Sequence, residues 1–202
     1  TLGGYNNQWT YLVGGECLPL LGKCLDAAKS QELVISTCLY AVVQASVAAE
    51  QIDSGYKVTA LKSKNSNCRR SAMALPSVSR AQLFHHFIPY PVLSAISSNT
   101  LDNLAELRIV TTLFLKLDSF SAIGDDLHAL QPLFYAYQTI IAECGGMLRQ
   151  FLVDDKGCVL IVLFGVPTAS YMNNCSRAVR CAVQMTEKTR DMAHSCSIGI
   201  TT

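Results

Sequence analysis

MLRQFLVDDKGCVLIVLF, residues Met147–Phe164, is the stretch that decides the fold of the C-terminal half. Met147–Val153 and Cys158–Phe164 are rich in apolar and β-branched residues, which is typical of strands. Between them lies Asp154-Asp155-Lys156-Gly157, a polar segment ending in glycine that favours a tight reversal of the chain. The stretch therefore predicts an antiparallel hairpin.

Further helices and strands are predicted on both sides of this hairpin. Arg108–Leu117 before it predicts a strand, and Ser195–Thr201 after it predicts another. Leu127–Cys144 predicts a helix whose apolar residues recur at helical spacing: Leu130, Leu133, Phe134, Tyr137, Ile140 and Ile141. Arg177–Met192 predicts a second helix with an inward face of Ala178, Cys181, Ala182 and Met185. The order βαββαβ predicts an α+β, ferredoxin-like fold with an antiparallel sheet and helices on one face.

The first 40 residues predict a smaller strand–helix–strand pattern. Trp9–Val13 and Glu32–Ser36 are the predicted strands. The helix between them has Pro19 in its first turn and one apolar stripe, consisting of Leu18, Leu21, Cys24, Leu25 and Ala28. This segment is too small to cover its own apolar face.

Residues 41–103 predict an irregular linker. The segment contains the polar, basic run Lys62–Arg70, the prolines Pro76, Pro89 and Pro91, and a Ser/Asn cluster at Ser97–Asn99. We expect a short helix around Arg80–Phe87 and interpret the basic run as a solvated linker surface rather than a binding patch.

Composition excludes several classes of protein. Half of the 202 residues are hydrophobic and 15% are charged, which excludes a disordered chain. Sixteen basic and fifteen acidic residues give a net charge of +1, which argues against nucleic-acid binding. The longest apolar runs, Cys158–Pro167 and Leu39–Val43, are shorter than the roughly 20 residues of a membrane-spanning helix. The start Thr1–Gly4 does not have the pattern of a signal peptide.

Cysteine and histidine patterns do not predict a metal site. The nine cysteines are scattered and contain no C-x-x-C motif, so we expect reduced thiols that mostly serve as small core residues. His85 and His86 are adjacent, and neighbouring side chains point in different directions in a helix or a strand. We therefore interpret them as loop or helix-edge residues.

The order of the elements and several local strings together resemble class III nucleotidyl cyclases, and more narrowly the bicarbonate-responsive soluble adenylyl cyclases. The strings are Glu106–Phe114, Leu148–Gly157, Phe164–Pro167, Arg177–Ala182 and Ser197–Ile200. That family has two homologous catalytic halves in one chain, and Tyr11–Glu16 followed by a helix is similar to the end of the first half.

The resemblance divides the chain into three parts: residues 1–40 as the C-terminal remnant of a first half, 41–103 as the linker, and 104–202 as an incomplete second half. The start without Met and the strand at the C-terminal end predict that the chain is cut from a longer protein. The resemblance implies that this parent converts ATP to cyclic AMP and pyrophosphate in intracellular signalling, at a site between its paired halves. It implies a cytoplasmic protein, with membrane association or another intracellular compartment left open.

In the family, two aspartates of one half hold the Mg or Mn ions that activate the attacking oxygen. By position, Lys116 stands where the resemblance implies the first of these aspartates, and a protonated lysine does not bind magnesium. Asp118 lies two residues further and is a possible substitute. Asp154 falls at the second aspartate position, although a hairpin turn explains an aspartate there equally well.

The remaining functional positions also depart from the family pattern. Gln150 stands where the resemblance implies a purine-reading lysine. Pro19 and Lys23 stand where it implies the ribose-orienting Asn and the charge-stabilising Arg. Gln150, Lys116, Asp154 and Lys23 are therefore candidate nucleotide-binding residues by position. No catalytic or metal-ligating residue is assigned to this chain, and the ligands of Mg or Mn are expected outside it.

Two functions of different classes follow. The chain is either an inactive fragment of an active adenylyl cyclase, or part of a degenerate cyclase-homology module for nucleotide binding or scaffolding, which Lys116, Gln150 and Pro19 favour. An unrelated ferredoxin-like interaction domain is a third alternative, because this fold has many functions. Two incomplete halves also predict uncovered apolar faces and poor solubility of the isolated chain.

Overall fold

The computed structural model describes residues 1–62, 82–100, 107–118, 120, 127–154, 157–167 and 169–202. The chain forms two compact units. The larger unit comprises Thr1–Val13 and Pro76–Thr202, and the smaller unit comprises Gly14–Leu75. Each unit combines helices with antiparallel strands, so the predicted α+β class is confirmed. The predicted boundaries at residues 40 and 103 come from the family resemblance. The division into compact units does not test them.

The strands of the described residues are β1 (Leu2–Gly3), β2 (Trp9–Thr10), β3 (Leu33–Ile35), β4 (Val47–Ile52), β5 (Gly55–Leu61), β6 (Thr111–Leu117), β7 (Met147–Asp154), β8 (Gly157–Phe164) and β9 (Cys196–Thr201). The α-helices are α1 (Cys17–Ala27), α2 (Thr37–Val43), α3 (Tyr90–Ser97), α4 (Gln131–Glu143) and α5 (Asn174–Asp191). Short 3₁₀ helices lie at Tyr5–Asn7, Gln82–Phe87 and Leu127–Leu130.

The larger unit is built on a four-stranded antiparallel sheet with the order β7-β8-β6-β9. The predicted hairpin is confirmed, with Val153 opposite Cys158 and Asp154 opposite Gly157. The strand predicted from Arg108 begins only at Thr111. Along the chain, the order β6-α4-β7-β8-α5-β9 agrees with the predicted sequence of elements.

The core of the larger unit lies between this sheet and the two long helices. Alternate residues of β6, namely Leu113, Leu115 and Leu117, are buried in it. The predicted inward residues of α4 and α5 belong to the same core: Leu133, Phe134, Tyr137, Ile141, Ala178, Cys181 and Met185 are buried, and Ile140 and Ala182 pack against them. Because helix and strand residues share this core, both helices cover one face of the sheet, as predicted.

The smaller unit has a three-stranded antiparallel sheet with the order β3-β5-β4, together with α1 and α2. The predicted apolar stripe of α1 is mostly not buried, which agrees with the expectation that this segment is too small to cover its own apolar face. Only Cys24 is buried in α1, whereas Leu21 and Leu25 are 65% and 73% exposed. Apolar periodicity identifies the helix, but burial also requires a neighbouring element that covers the stripe.

The prediction of an irregular linker over residues 41–103 is wrong at β4, β5 and α3. β4 and β5 form a hairpin in which Ile52 lies opposite Gly55. The turn residues Asp53-Ser54-Gly55 are a hairpin signal that outweighs the modest strand propensity of the Ala- and Gln-containing β4. The helix expected around Arg80–Phe87 is present as a 3₁₀ helix at Gln82–Phe87. Most of the basic run Lys62–Arg70 lies outside the described residues.

Candidate functional site

The candidate site is the face of the four-stranded sheet that points away from α4 and α5, which we call the outer sheet face. Strand alternation places Phe114 and Lys116 on this face, because their neighbours Leu113, Leu115 and Leu117 point into the core. The half-buried residues of β8 on the same face are Val159, Ile161 and Leu163. The face therefore combines an apolar centre with polar residues at its sides.

Lys116 lies near the end of the sheet where the β7–β8 hairpin turns. Its cross-strand neighbours are Val159 on β8 and Ser197 on β9. The side chain is exposed, and its Cε lies 3.6 Å from the position that a Cβ on Gly157 would occupy. Asp154 pairs with Gly157 through the backbone, so Lys116 and Asp154 lie at the same end of the sheet.

Asp118 is held toward β9 rather than toward the hairpin. Its N–H donates to the Ser195 carbonyl at 2.9 Å, and its carboxylate accepts the Ser197 hydroxyl at 2.6 Å. Within the described parts of the chain, no three His, Cys, Asp or Glu side chains are grouped to hold a metal. A lysine ammonium beside the hairpin also opposes a divalent cation, so the residues described here do not fit Mg or Mn.

Gln150 lies at one end of a row of residues that crosses the sheet. It is opposite Ile161, Ile161 is opposite Phe114, and Phe114 is opposite Gly199. Phe114 is 47% exposed, and a Cβ built on Gly199 would meet nothing within 4 Å. This row therefore offers a flat apolar surface with an amide side chain at one edge.

Lys23, the fourth candidate residue, lies on α1 of the smaller unit and is exposed, with Pro19 in the first turn of the same helix. The structure therefore brings Lys116, Gln150 and Asp154 together on one sheet, while Lys23 belongs to the other compact unit. Whether any of the four binds a nucleotide stays a prediction.

The eight described cysteines are free thiols, and Cys68 lies outside the described residues. Four of the eight are buried, namely Cys24, Cys144, Cys158 and Cys181, so the prediction of core cysteines holds for half of them. His85 and His86 lie in a 3₁₀ helix, in agreement with the helix-edge interpretation, and His86 Nε2 lies 3.4 Å from Asn7 Nδ2.

The contacts of the Cys175 sulfur were not predicted from the sequence. Cys175 is exposed in the first turn of α5, and its sulfur lies 3.4 Å from the Thr111 hydroxyl and 3.5 Å from the Thr202 hydroxyl. The hydrogen bonds from Thr111 and Thr202 lower the pKa of the Cys175 thiol. The available signal was a cysteine two residues before the predicted helix Arg177–Met192, which alone does not indicate partners 64 and 27 residues away.

Sequence reasoning also missed Gln131 and Gln138 on α4, which bind backbone groups of the N-terminal residues. A glutamine next to Tyr137 in an otherwise apolar helix stripe was the available signal.

No protein-family model matches the chain, and no curated protein matches it. Among the helices of the described residues, none has the length and apolarity needed to cross a membrane. The family resemblance therefore rests on the order of the elements and on the sequence strings.

Proposed function

We propose that the chain is a segment of a class III adenylyl cyclase, comprising the end of one catalytic half, a linker and the ferredoxin-like beginning of the second half. The supporting observation is the sheet order β7-β8-β6-β9 together with the element order βαββαβ and both helices on one face. The parent converts ATP to cyclic AMP and pyrophosphate, and the 202-residue segment does not do so alone.

In this proposal the outer sheet face is the nucleotide-facing surface of the second half. The row of Ile161, Phe114 and Gly199 offers a flat apolar surface to the purine. The Gln150 amide can donate to and accept from the base edge, and the Lys116 ammonium neutralises phosphate charge. Mg or Mn supplies charge neutralisation in the parent, and its ligands are assigned outside this chain because the residues described here do not fit it.

The first test measures catalysis and nucleotide binding by the full 202-residue chain. We expect no cyclic AMP above background from ATP with either Mg or Mn, and weak ATP binding that Lys116→Glu reduces at least about fivefold by charge reversal. Lys188→Ala removes a cation from α5, on the other side of the sheet, and should leave ATP binding unchanged. Cyclic AMP formation by the pure chain would contradict the assignment of the catalytic residues.

A degenerate, non-catalytic nucleotide-binding or scaffolding module is the second candidate, favoured by the position of Lys116 beside the hairpin. The size of the natural polypeptide separates the two candidates. An antibody against residues 104–202 should detect a protein several times larger than 22.0 kDa if the cyclase proposal is correct. A natural product near 22.0 kDa would make the non-catalytic module the better explanation.

A further inference from the structure

Residues Leu2–Thr10, here called the N-terminal segment, cover one face of α4. β1 and β2 pair over only two positions, Leu2 with Thr10 and Gly3 with Trp9, and enclose the 3₁₀ turn Tyr5–Asn7. A two-stranded hairpin of this length is not stable by itself in water. Its conformation in the larger unit therefore depends on the surface on which it lies.

Two glutamines of α4 hold the N-terminal segment by its backbone. The Gln131 side chain accepts the Gly3 N–H at 3.0 Å and donates to the Gly3 carbonyl. The Gln138 side chain accepts the Tyr5 N–H at 3.2 Å and donates to the Gln8 carbonyl at 3.0 Å. Residues seven positions apart lie on the same face of a helix. Both amides therefore recognise main-chain groups of a bound segment from one helix face.

Leu2 and Gly3 make this recognition selective. Leu2 is 3% exposed and belongs to the core of the larger unit. Gly3 has a φ of +123°, and a Cβ there would lie 2.6 Å from the Gln8 carbonyl oxygen and 2.9 Å from Gln138 Nε2. Only glycine fits this position without strain. A ligand of this surface therefore needs an apolar residue followed by glycine.

Tyr135, which lies between the two glutamines on α4, adds an aromatic contact to the N-terminal segment. The Tyr5 ring packs edge-on against Tyr135 of α4, with 5.9 Å between the ring centroids. Tyr135 is four residues from Gln131 and three from Gln138, so the three side chains form one continuous strip along α4. We call Gln131, Tyr135 and Gln138 the α4 strip.

We propose that the α4 strip is a peptide-recognition site for the pattern apolar residue–Gly–Gly–aromatic residue, and that the N-terminal segment is its built-in, displaceable ligand. Gln138 is 8% exposed beneath the segment. A second peptide that presents the same backbone groups satisfies this buried amide, whereas one that cannot leaves it without its partners. This proposal does not depend on the nucleotide chemistry of the outer sheet face.

The test uses the full 202-residue chain and a fluorescein-labelled synthetic peptide of residues 1–13, with binding followed by fluorescence anisotropy. Gly3→Ala in the chain should weaken its own segment, so the labelled peptide should bind this variant at least about tenfold more tightly than the wild type. Adding Gln131→Ala and Gln138→Ala to Gly3→Ala should weaken peptide binding at least about tenfold. Adding Thr139→Ala instead should change nothing, because the Thr139 hydroxyl bonds the Tyr135 carbonyl of its own helix.

Three results would overturn the proposal: no binding of the peptide to the Gly3→Ala chain, equal binding by all variants, or equal binding of a peptide that itself has alanine at position 3. Amide hydrogen exchange provides a second test that does not require Gly3→Ala to fold. In the Gln131→Ala and Gln138→Ala double variant, the Gly3 and Tyr5 amides should exchange at least about tenfold faster than in the wild type, while those of β6 stay unchanged. Unchanged exchange at Gly3 and Tyr5 would also reject the proposal.

Discussion

At the scale of single residues, Cys175 should react faster with alkylating reagents than Cys17 and Cys38, the other exposed cysteines of the described residues. The hydroxyls of Thr111 and Thr202 hydrogen-bond its sulfur and lower its pKa, so more thiolate is present at neutral pH. We expect iodoacetamide to modify Cys175 before the exposed Cys17 and Cys38, as measured by mass spectrometry of peptides. Thr111→Val keeps the buried shape but removes one hydroxyl, and should slow the reaction. Equal modification rates, or no effect of Thr111→Val, would contradict the assigned hydrogen bonds.

Substitution by alanine should affect stability very differently at two glycines of the sheets. Gly55 has a φ of +146°, and a Cβ there would clash with the Ile35 carbonyl oxygen. Gly55→Ala should therefore destabilise the smaller unit by about 2 kcal/mol or more. A Cβ on Gly199 meets nothing within 4 Å, so Gly199→Ala should change stability by less than about 0.5 kcal/mol. Urea unfolding of both variants measures this contrast, and similar midpoints would show that the β3–β5 contact is wrong.

At the scale of helices and strands, a buried hydrogen bond connects α4 and α5. The Tyr137 hydroxyl lies 2.5 Å from Thr189 Oγ1, and Thr189 donates to the Met185 carbonyl at 2.6 Å. Because the Thr189 proton is used, Tyr137 is the donor, and burial raises the pKa of its hydroxyl. Tyr137→Phe should cost about 1 kcal/mol in the free energy of unfolding. Denaturant unfolding compared with the exposed Tyr135→Phe, in which the ring is retained, checks this value. An equal effect of the two substitutions would contradict it.

The sequence predicts the strands of the four-stranded sheet and its two long helices well, because their apolar residues follow a clear period. In α4, the spacing from Leu133 to Ile141 coincides with the residues buried against the sheet. The hairpin of β7 and β8 follows from turn residues between two apolar runs. Local pattern and tertiary burial agree here, and the predicted elements are correct apart from their ends.

Features that depend on residues far apart in the sequence could not be predicted from local apolar periodicity. α1 has a helical stripe like that of α4, yet Leu21 and Leu25 are exposed, because periodicity does not specify what covers a helix. Three candidate site residues share one sheet because they lie on strands of the predicted βαββαβ unit. The hydrogen bond of Asp118 to Ser197, in contrast, joins residues 79 positions apart. The backbone contacts of Gln131, 128 residues from Gly3, have no sequence signal at all.

At the scale of the whole molecule, exposed apolar residues bear on the prediction of poor solubility. Leu21, Leu25 and Leu33 in the smaller unit, and Phe114 in the larger one, are each between 47% and 73% exposed. Exposed apolar surface of this kind promotes association. We expect Phe114→Ser to raise the concentration at which the chain elutes as a monomer in size-exclusion chromatography. The exposed Phe84→Ser is the matched control on a 3₁₀ helix, and an equal gain from both variants would argue against the outer sheet face as the associating surface.

The two compact units should also differ in stability, because their buried apolar content differs. Among the described residues, 20 are buried in the core of the larger unit, whereas the buried apolar residues between 14 and 62 are Cys24, Val34, Ile35 and Val47. Apolar burial is the main term that opposes conformational entropy in folding. The amides of β5 should therefore exchange with solvent at least about tenfold faster than those of β6 and β8. The comparison is fair because each of these three strands has a neighbouring strand on both sides. Hydrogen exchange with mass-spectrometric detection measures both sets in one sample. Exchange of the β5 amides as slow as that of the β6 amides would contradict the lower stability of the smaller unit.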